Sequence, residues 1–102
     1  MLYRQGDVLI ERVEAMPDSG TAVEPKHGLV ILAEGEATGH HHSIAATDVE
    51  SVIEGDGAMF LKLIRDSVVS HQEHGAISLK AGNYRVTRQR EYTPEEVRNV
   101  AD

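Results

Sequence analysis

The sequence predicts an all-β fold, a small β-barrel or compact sandwich of seven or eight short strands with one short C-terminal helix. Three observations carry that reading. The strand-like segments are four to seven residues long, too short for core helices, and turn signals separate them. Aromatic residues are confined to Tyr3, Phe60, Tyr84 and Tyr92, so the core rests on Val, Ile, Leu and Met, a set in which the β-branched residues favour strands. The 102 residues suit one domain, 1–102, because two cores would each be too small to hold themselves together.

The first strand is Val8-Leu9-Ile10 followed by Glu11-Arg12-Val13, entered from a Gly6-Asp7 turn. Residues 16–26 carry Pro17, Pro25 and the Ser19-Gly20 pair and read as a surface loop. Gly28-Leu29-Val30-Ile31-Leu32 is the second strand, ending at a Glu34-Gly35-Glu36 turn. An extended histidine segment runs through Thr38 to Ile44, and Val49 to Ile53 precedes the turn Glu54-Gly55-Asp56-Gly57. Met59 to Ile64, Ser67 to Ser70, Ala76 to Leu79 and Asn83 to Gln89 supply four further strands. Thr93-Pro94-Glu95-Glu96 combines an N-cap threonine, a first-turn proline and a glutamate three residues after the cap, which predicts a helix from about Pro94 to Ala101.

Composition narrows the function classes. Hydrophobic residues at 40% and charged residues at 26% are ordinary for a globular chain and argue against disorder. A net charge of −7 repels a polyanion, so nucleic acid is not an expected partner. The sequence has neither a basic start leading into an apolar run nor 18 consecutive apolar residues, which predicts a soluble, cytoplasmic protein with no membrane partner. With no cysteine, a thiolate metal site and a disulfide framework are both excluded.

The chemistry points to histidine. Five of the six histidines fall in two short groups, His40, His41, His42 and His71, His74. On an extended segment His40 and His42 share a face about 6 to 7 Å apart, while His41 turns away. His71-Gln72-Glu73-His74-Gly75 follows an apolar strand and ends in glycine, so a turn there brings its two histidines to a common point. Three imidazoles with an open position suit zinc, with nickel, iron or manganese as alternatives, and admit a water or a small-molecule substrate. The expected metal ligands are His40, His42 and one or both of His71 and His74. Glu36, Asp48 and Glu73 are the nearby carboxylates, and Glu73, between the two downstream histidines, is the candidate catalytic base for a metal-dependent hydratase, hydrolase or lyase. The plainer account is a run of solvated loop histidines beside a solvated glutamate. His27, alone between Lys26 and Gly28, reads as a surface residue.

Other catalytic signatures are missing. Ser43 and Ser70 lie beside histidines without a nucleophile elbow, and the glycines form neither a P-loop nor a dinucleotide fingerprint. Arg85, Arg88 and Arg90 make a basic stretch suited to salt bridges with the C-terminal helix or to an anion.

Gly35 and His40-His41-His42, with Asp48 or Glu50 downstream, resemble part of the first cupin motif, a glycine followed by an HxH pair and an acidic residue. Gly6 to Glu14 and Gly28 to Leu32 are similar to the opening strand and the glycine-apolar segment of small β-barrel co-chaperonins. That second resemblance implies a different class of function, a non-enzymatic interaction module forming a homo-oligomer. The Gly-His-x-His segment and the ending Arg88-Gln89-Arg90-Glu91-Tyr92-Thr93-Pro94-Glu95-Glu96 also resemble small uncharacterised bacterial and phage proteins.

Overall fold

In the computed structural model, residues 1–35 and 39–88 are described. Among the described residues ten strands run in chain order: β1 Leu2–Gln5, β2 Val8–Val13, β3 Thr21–Ala22, β4 Leu29–Glu34 and β5 His41–Ala45, then, after a 3-10 turn at Ala46–Asp48, β6 Val49–Gly55, β7 Ala58–Leu63, β8 Ser67–Val69, β9 Ile77–Leu79 and β10 Gly82–Arg88. The fold is all-β, as the short β-branched runs predict. Two strands were not anticipated: β1, in the stretch read as a lead-in, and the two-residue β3, inside the expected surface loop.

The main sheet has the order β1-β2-β10-β7-β6-β3, antiparallel throughout. The β4–β5 and β8–β9 pairs form two small sheets, and an isolated antiparallel bridge between Ser43 and Ser70 links them. Among the described residues the sheets do not close into a barrel, so the barrel closure allowed for by the sequence is not found there. The predicted helix at 94–101 lies outside the described residues.

Strand alternation builds the core. Val8 and Ile10 of β2, Leu61 and Leu63 of β7, and Tyr84 and Val86 of β10 turn to one face of the main sheet, where they meet Val30, Leu32, Ile44, Val69 and Leu79 from the small sheets. Burying each such aliphatic side chain contributes roughly 1.5–3 kcal/mol. Tyr84 is fully buried, and its hydroxyl is satisfied by donating to the Lys80 carbonyl and accepting from Arg12.

One end of this layer carries the polar residues that matter below. β1 and β2 are joined by the two-residue loop Gly6-Asp7, with Gln5 opposite Val8. Gly6 has φ +61°, the left-handed value that a two-residue hairpin requires at its first central position. The loop therefore holds Gln5 and Asp7 on either side of a tight turn at the edge of the core.

Candidate functional site

The Ser43–Ser70 bridge assembles the site. Each serine amide donates to the other's carbonyl, at 3.0 and 2.9 Å. Continued outward in the antiparallel sense, that register sets His42 against His71, His41 against Gln72 and His40 against Glu73. The contacts follow it: the His42 and His71 ring centres are 4.3 Å apart, the His41 amide donates to Gln72 Oε1 at 2.8 Å, and His40 Nδ1 lies 3.4 Å from Glu73 Oε1. The turn after His71 then folds His74 back, 4.6 Å from His71 and 6.0 Å from His42, ring centre to ring centre. His40 joins the group at 5.6 Å from His71.

All four histidines expected to act together thus share one patch. His41 is on the other side of the strand, beside Gln72, as alternation requires. As placed, no group of three or more His, Asp or Glu side chains among the described residues is arranged to hold a metal ion. The rings meet by face and edge.

His42 is the buried member of the patch, 4% exposed. Its Nδ1 lies 2.8 Å from Gln5 Oε1. Gln5, itself buried, uses its amide nitrogen to donate to the carbonyls of Val69 at 3.1 Å and Gly75 at 2.8 Å, which lie on either side of the His71–His74 turn. On the other edge of the His42 ring, Nε2 stands 3.7 Å from Asp7 Oδ1, and the second oxygen of Asp7 accepts from Arg88 Nε at 2.7 Å. Burial, reinforced by the neighbouring His71, pushes the His42 pKa down to about 4, against the opposing pull of Asp7. Burial raises the Asp7 pKa, but the Arg88 hydrogen bond and charge together outweigh it and hold the carboxyl below its usual value. Desolvation and then the neighbouring His74 and His40 lower His71, with Glu73 pulling the other way.

Gly6 closes the patch from below. A Cβ built there would lie 2.7 Å from His74 Nε2 and 3.3 Å from His42 Cε1, so the hairpin backbone approaches both rings as only glycine allows.

Residues 4–89 match the family described as a domain of unknown function, DUF8820. The chain belongs to the DUF8820 family. No curated protein and no solved structure matches it. The span of the DUF8820 match contains every residue of the patch, from Gln5 and Asp7 through both histidine segments to Arg88.

The other expected residues of this DUF8820 chain are placed as follows. Glu73 is exposed, with its Oε1 3.4 Å from His40 Nδ1. Asp48 is engaged elsewhere, accepting from Ser67 and from Arg65. Glu36 lies outside the described residues. Arg85 pairs with Glu11 at 3.7 Å and Arg88 with Asp7, partners within the main sheet and its first turn; Arg90 and the helix expected to pair with the basic stretch lie outside the described residues. Gln5 and Asp7 were missed by sequence reasoning. The available signal was the Gln5-Gly6-Asp7 turn itself, which places two polar side chains around a glycine at the start of a buried strand. Among the described residues no helix is long and apolar enough to cross a membrane.

Proposed function

We propose that this protein binds one divalent transition metal, zinc by preference, through His40, His42 and one or both of His71 and His74, and uses it on a small-molecule substrate. The observation that supports this reading is the gathering of four imidazoles from two separate segments with neighbouring ring centres 4.3–6.0 Å apart. With Zn–N distances of about 2.0–2.1 Å and a ring centre roughly 1.2 Å beyond the nitrogen, two imidazoles on a tetrahedral zinc have centres about 5 Å apart. The reading requires the exposed His74 ring and the partly exposed His40 and His71 rings to turn their nitrogens inward, while His42 is already held by Gln5. An all-imidazole set also fits the absence of thiolate from the sequence.

A metal held by these imidazoles would supply Lewis-acid chemistry, lowering the pKa of a water or polarising a substrate oxygen. Glu73, exposed at the rim beside His40, is the group able to take the proton, which suits a hydration, hydrolysis or lyase reaction. The test is elemental analysis of untagged protein, with zinc, nickel, iron and manganese counted per chain. About one metal per chain, lost in the double variant His42→Ala/His74→Ala, is the expected result. Protein free of stoichiometric metal after purification and after incubation with each ion ends the reading.

A further inference from the structure

The direction of the hydrogen bonds around the patch says which nitrogen His42 and His71 can offer. Gln5 has one amide end against the carbonyls of Val69 and Gly75. Carbonyls only accept, so that end is the NH2 and the end facing His42 Nδ1 is the oxygen. An oxygen acceptor at 2.8 Å requires a proton on Nδ1, and in the neutral ring this leaves the lone pair on Nε2. Asp7 does not compete for the tautomer. Its carboxylate would favour a proton on Nε2, but at 3.7 Å it is beyond hydrogen-bond reach, and its other oxygen is held by Arg88.

His71 is set the opposite way. Its Nδ1 accepts from the backbone N–H of Glu73 at 2.9 Å, so in the neutral ring Nδ1 carries the lone pair, already used, and Nε2 carries the proton. To coordinate through Nε2, His71 would have to move its proton to Nδ1 and set two N–H groups against each other. His74 has no such obligation, and its Nε2 lies over Gly6 beside the His42 ring.

We propose that Gln5 is a positioning residue that locks His42 as the Nδ1–H tautomer, presenting Nε2 to the metal, while the Glu73 amide holds His71 as the Nε2–H tautomer and so leaves His74 to serve as the downstream ligand. This rests on the metal-binding reading for its consequence, but the tautomers are a property of the metal-free protein. The Gln5 amide, oriented by two carbonyls of the segment that carries His71 and His74, also ties the aim of His42 to the placement of the other cluster. Partners of this kind orient a ligating imidazole and raise its basicity, and losing one typically lowers metal affinity 10- to 100-fold.

The experiment is 15N NMR of histidine-labelled, metal-free wild-type protein at pH 7.5, followed by zinc titration of wild type and Gln5→Met. The expected spectrum has His42 protonated on Nδ1 and His71 on Nε2. The reverse tautomer, or an even mixture, at either ring overturns the proposal. In Gln5→Met, His42 becomes a tautomer mixture, His71 is unchanged, and zinc affinity falls about 10- to 100-fold. Retention of the wild-type His42 tautomer in that variant overturns the role given to Gln5. Gln5→Glu, whose carboxyl in its protonated form can donate to the Val69 or Gly75 carbonyl and keep its other oxygen facing Nδ1, restores the Nδ1–H signature. If neither variant folds, the wild-type spectrum decides. Failure of the wild type to bind zinc removes the metal-binding reading and with it the consequence drawn for His74, and the same spectra still test the two tautomers.

Discussion

Ser43 and Ser70 exchange both backbone hydrogen bonds, and this one pair puts two histidine segments in register. Neither side chain is required for it. The bridge fixes a spacing between backbones, and the imidazoles follow as cross-strand neighbours.

Zinc bound as proposed would tie the same two segments together a second time, so the Ser43 and Ser70 amides are expected to exchange more slowly when metal is added. At zinc 100 times its Kd the native state gains about 2.7 kcal/mol, which is about 100-fold in protection for amides that exchange through global opening. Hydrogen exchange followed by NMR, with and without zinc, measures this. Equal protection in the two conditions would show that the metal, if bound, sits on one segment only.

The histidines separate into unequal classes. His42→Ala removes the buried imidazole that is proposed as a ligand and held by Gln5, and is expected to weaken zinc binding more than about 100-fold. His41→Ala, on the far side of the strand, is expected to leave affinity within about threefold of wild type. His71→Ala is expected to cost less affinity than His74→Ala. Competition titration against a chromophoric chelator ranks the four variants, and a His41→Ala loss equal to that of His42→Ala would mark a local chelate of the triple histidine.

Gly6→Ala tests the approach of the hairpin to the rings. The added methyl occupies a left-handed backbone position and meets His74 Nε2 at 2.7 Å. Backbone strain alone costs about 1–2 kcal/mol, measurable as a lower urea midpoint. The His74 ring must also move, so zinc affinity falls along with stability. Unchanged affinity would mean that His74 is not a ligand.

Stability of the metal-free protein is expected to decline as the solution is acidified. His42 has a folded pKa near 4 against 6.5 for the free side chain, so between those values the unfolded chain takes up a proton that the folded chain refuses. The associated stability is complete above about pH 6.5 and is lost progressively as pH falls toward 4, about 3 kcal/mol in all. Asp7, lowered in the folded state, adds loss in the same direction once pH drops through its unfolded value of 3.8. Urea unfolding at a series of pH values in EDTA checks the sign, and in His42→Gln the loss below pH 6.5 should shrink to the part contributed by the lowered His71.

Much of this was written in local sequence and some of it could not have been. The strands β2, β4, β6, β7, β8, β9 and β10 each show as a short apolar run because period-2 burial is a local property. The histidine segments stand out for the same reason, as composition. β1 does not, since Leu2-Tyr3-Arg4-Gln5 becomes a strand only through pairing with β2 and has one buried residue, the polar Gln5. Barrel against sandwich turns on whether distant edges meet, and the register that joins Ser43 to Ser70 is likewise a long-range fact. Gln5 and Asp7 carry no signal of their own. They matter because of what the fold sets opposite them.

The Gln5 amide reaches partners 64 and 70 residues along the chain, which has a bearing on the order of events during folding. Contacts of such separation form only after most of the chain-closure entropy has been met, so the environment of His42 is among the last to be completed. A half-folded chain offers an ion only the weak local run of three imidazoles. A tightly held metal would therefore be selective for finished molecules, and its uptake would time the closing step of folding.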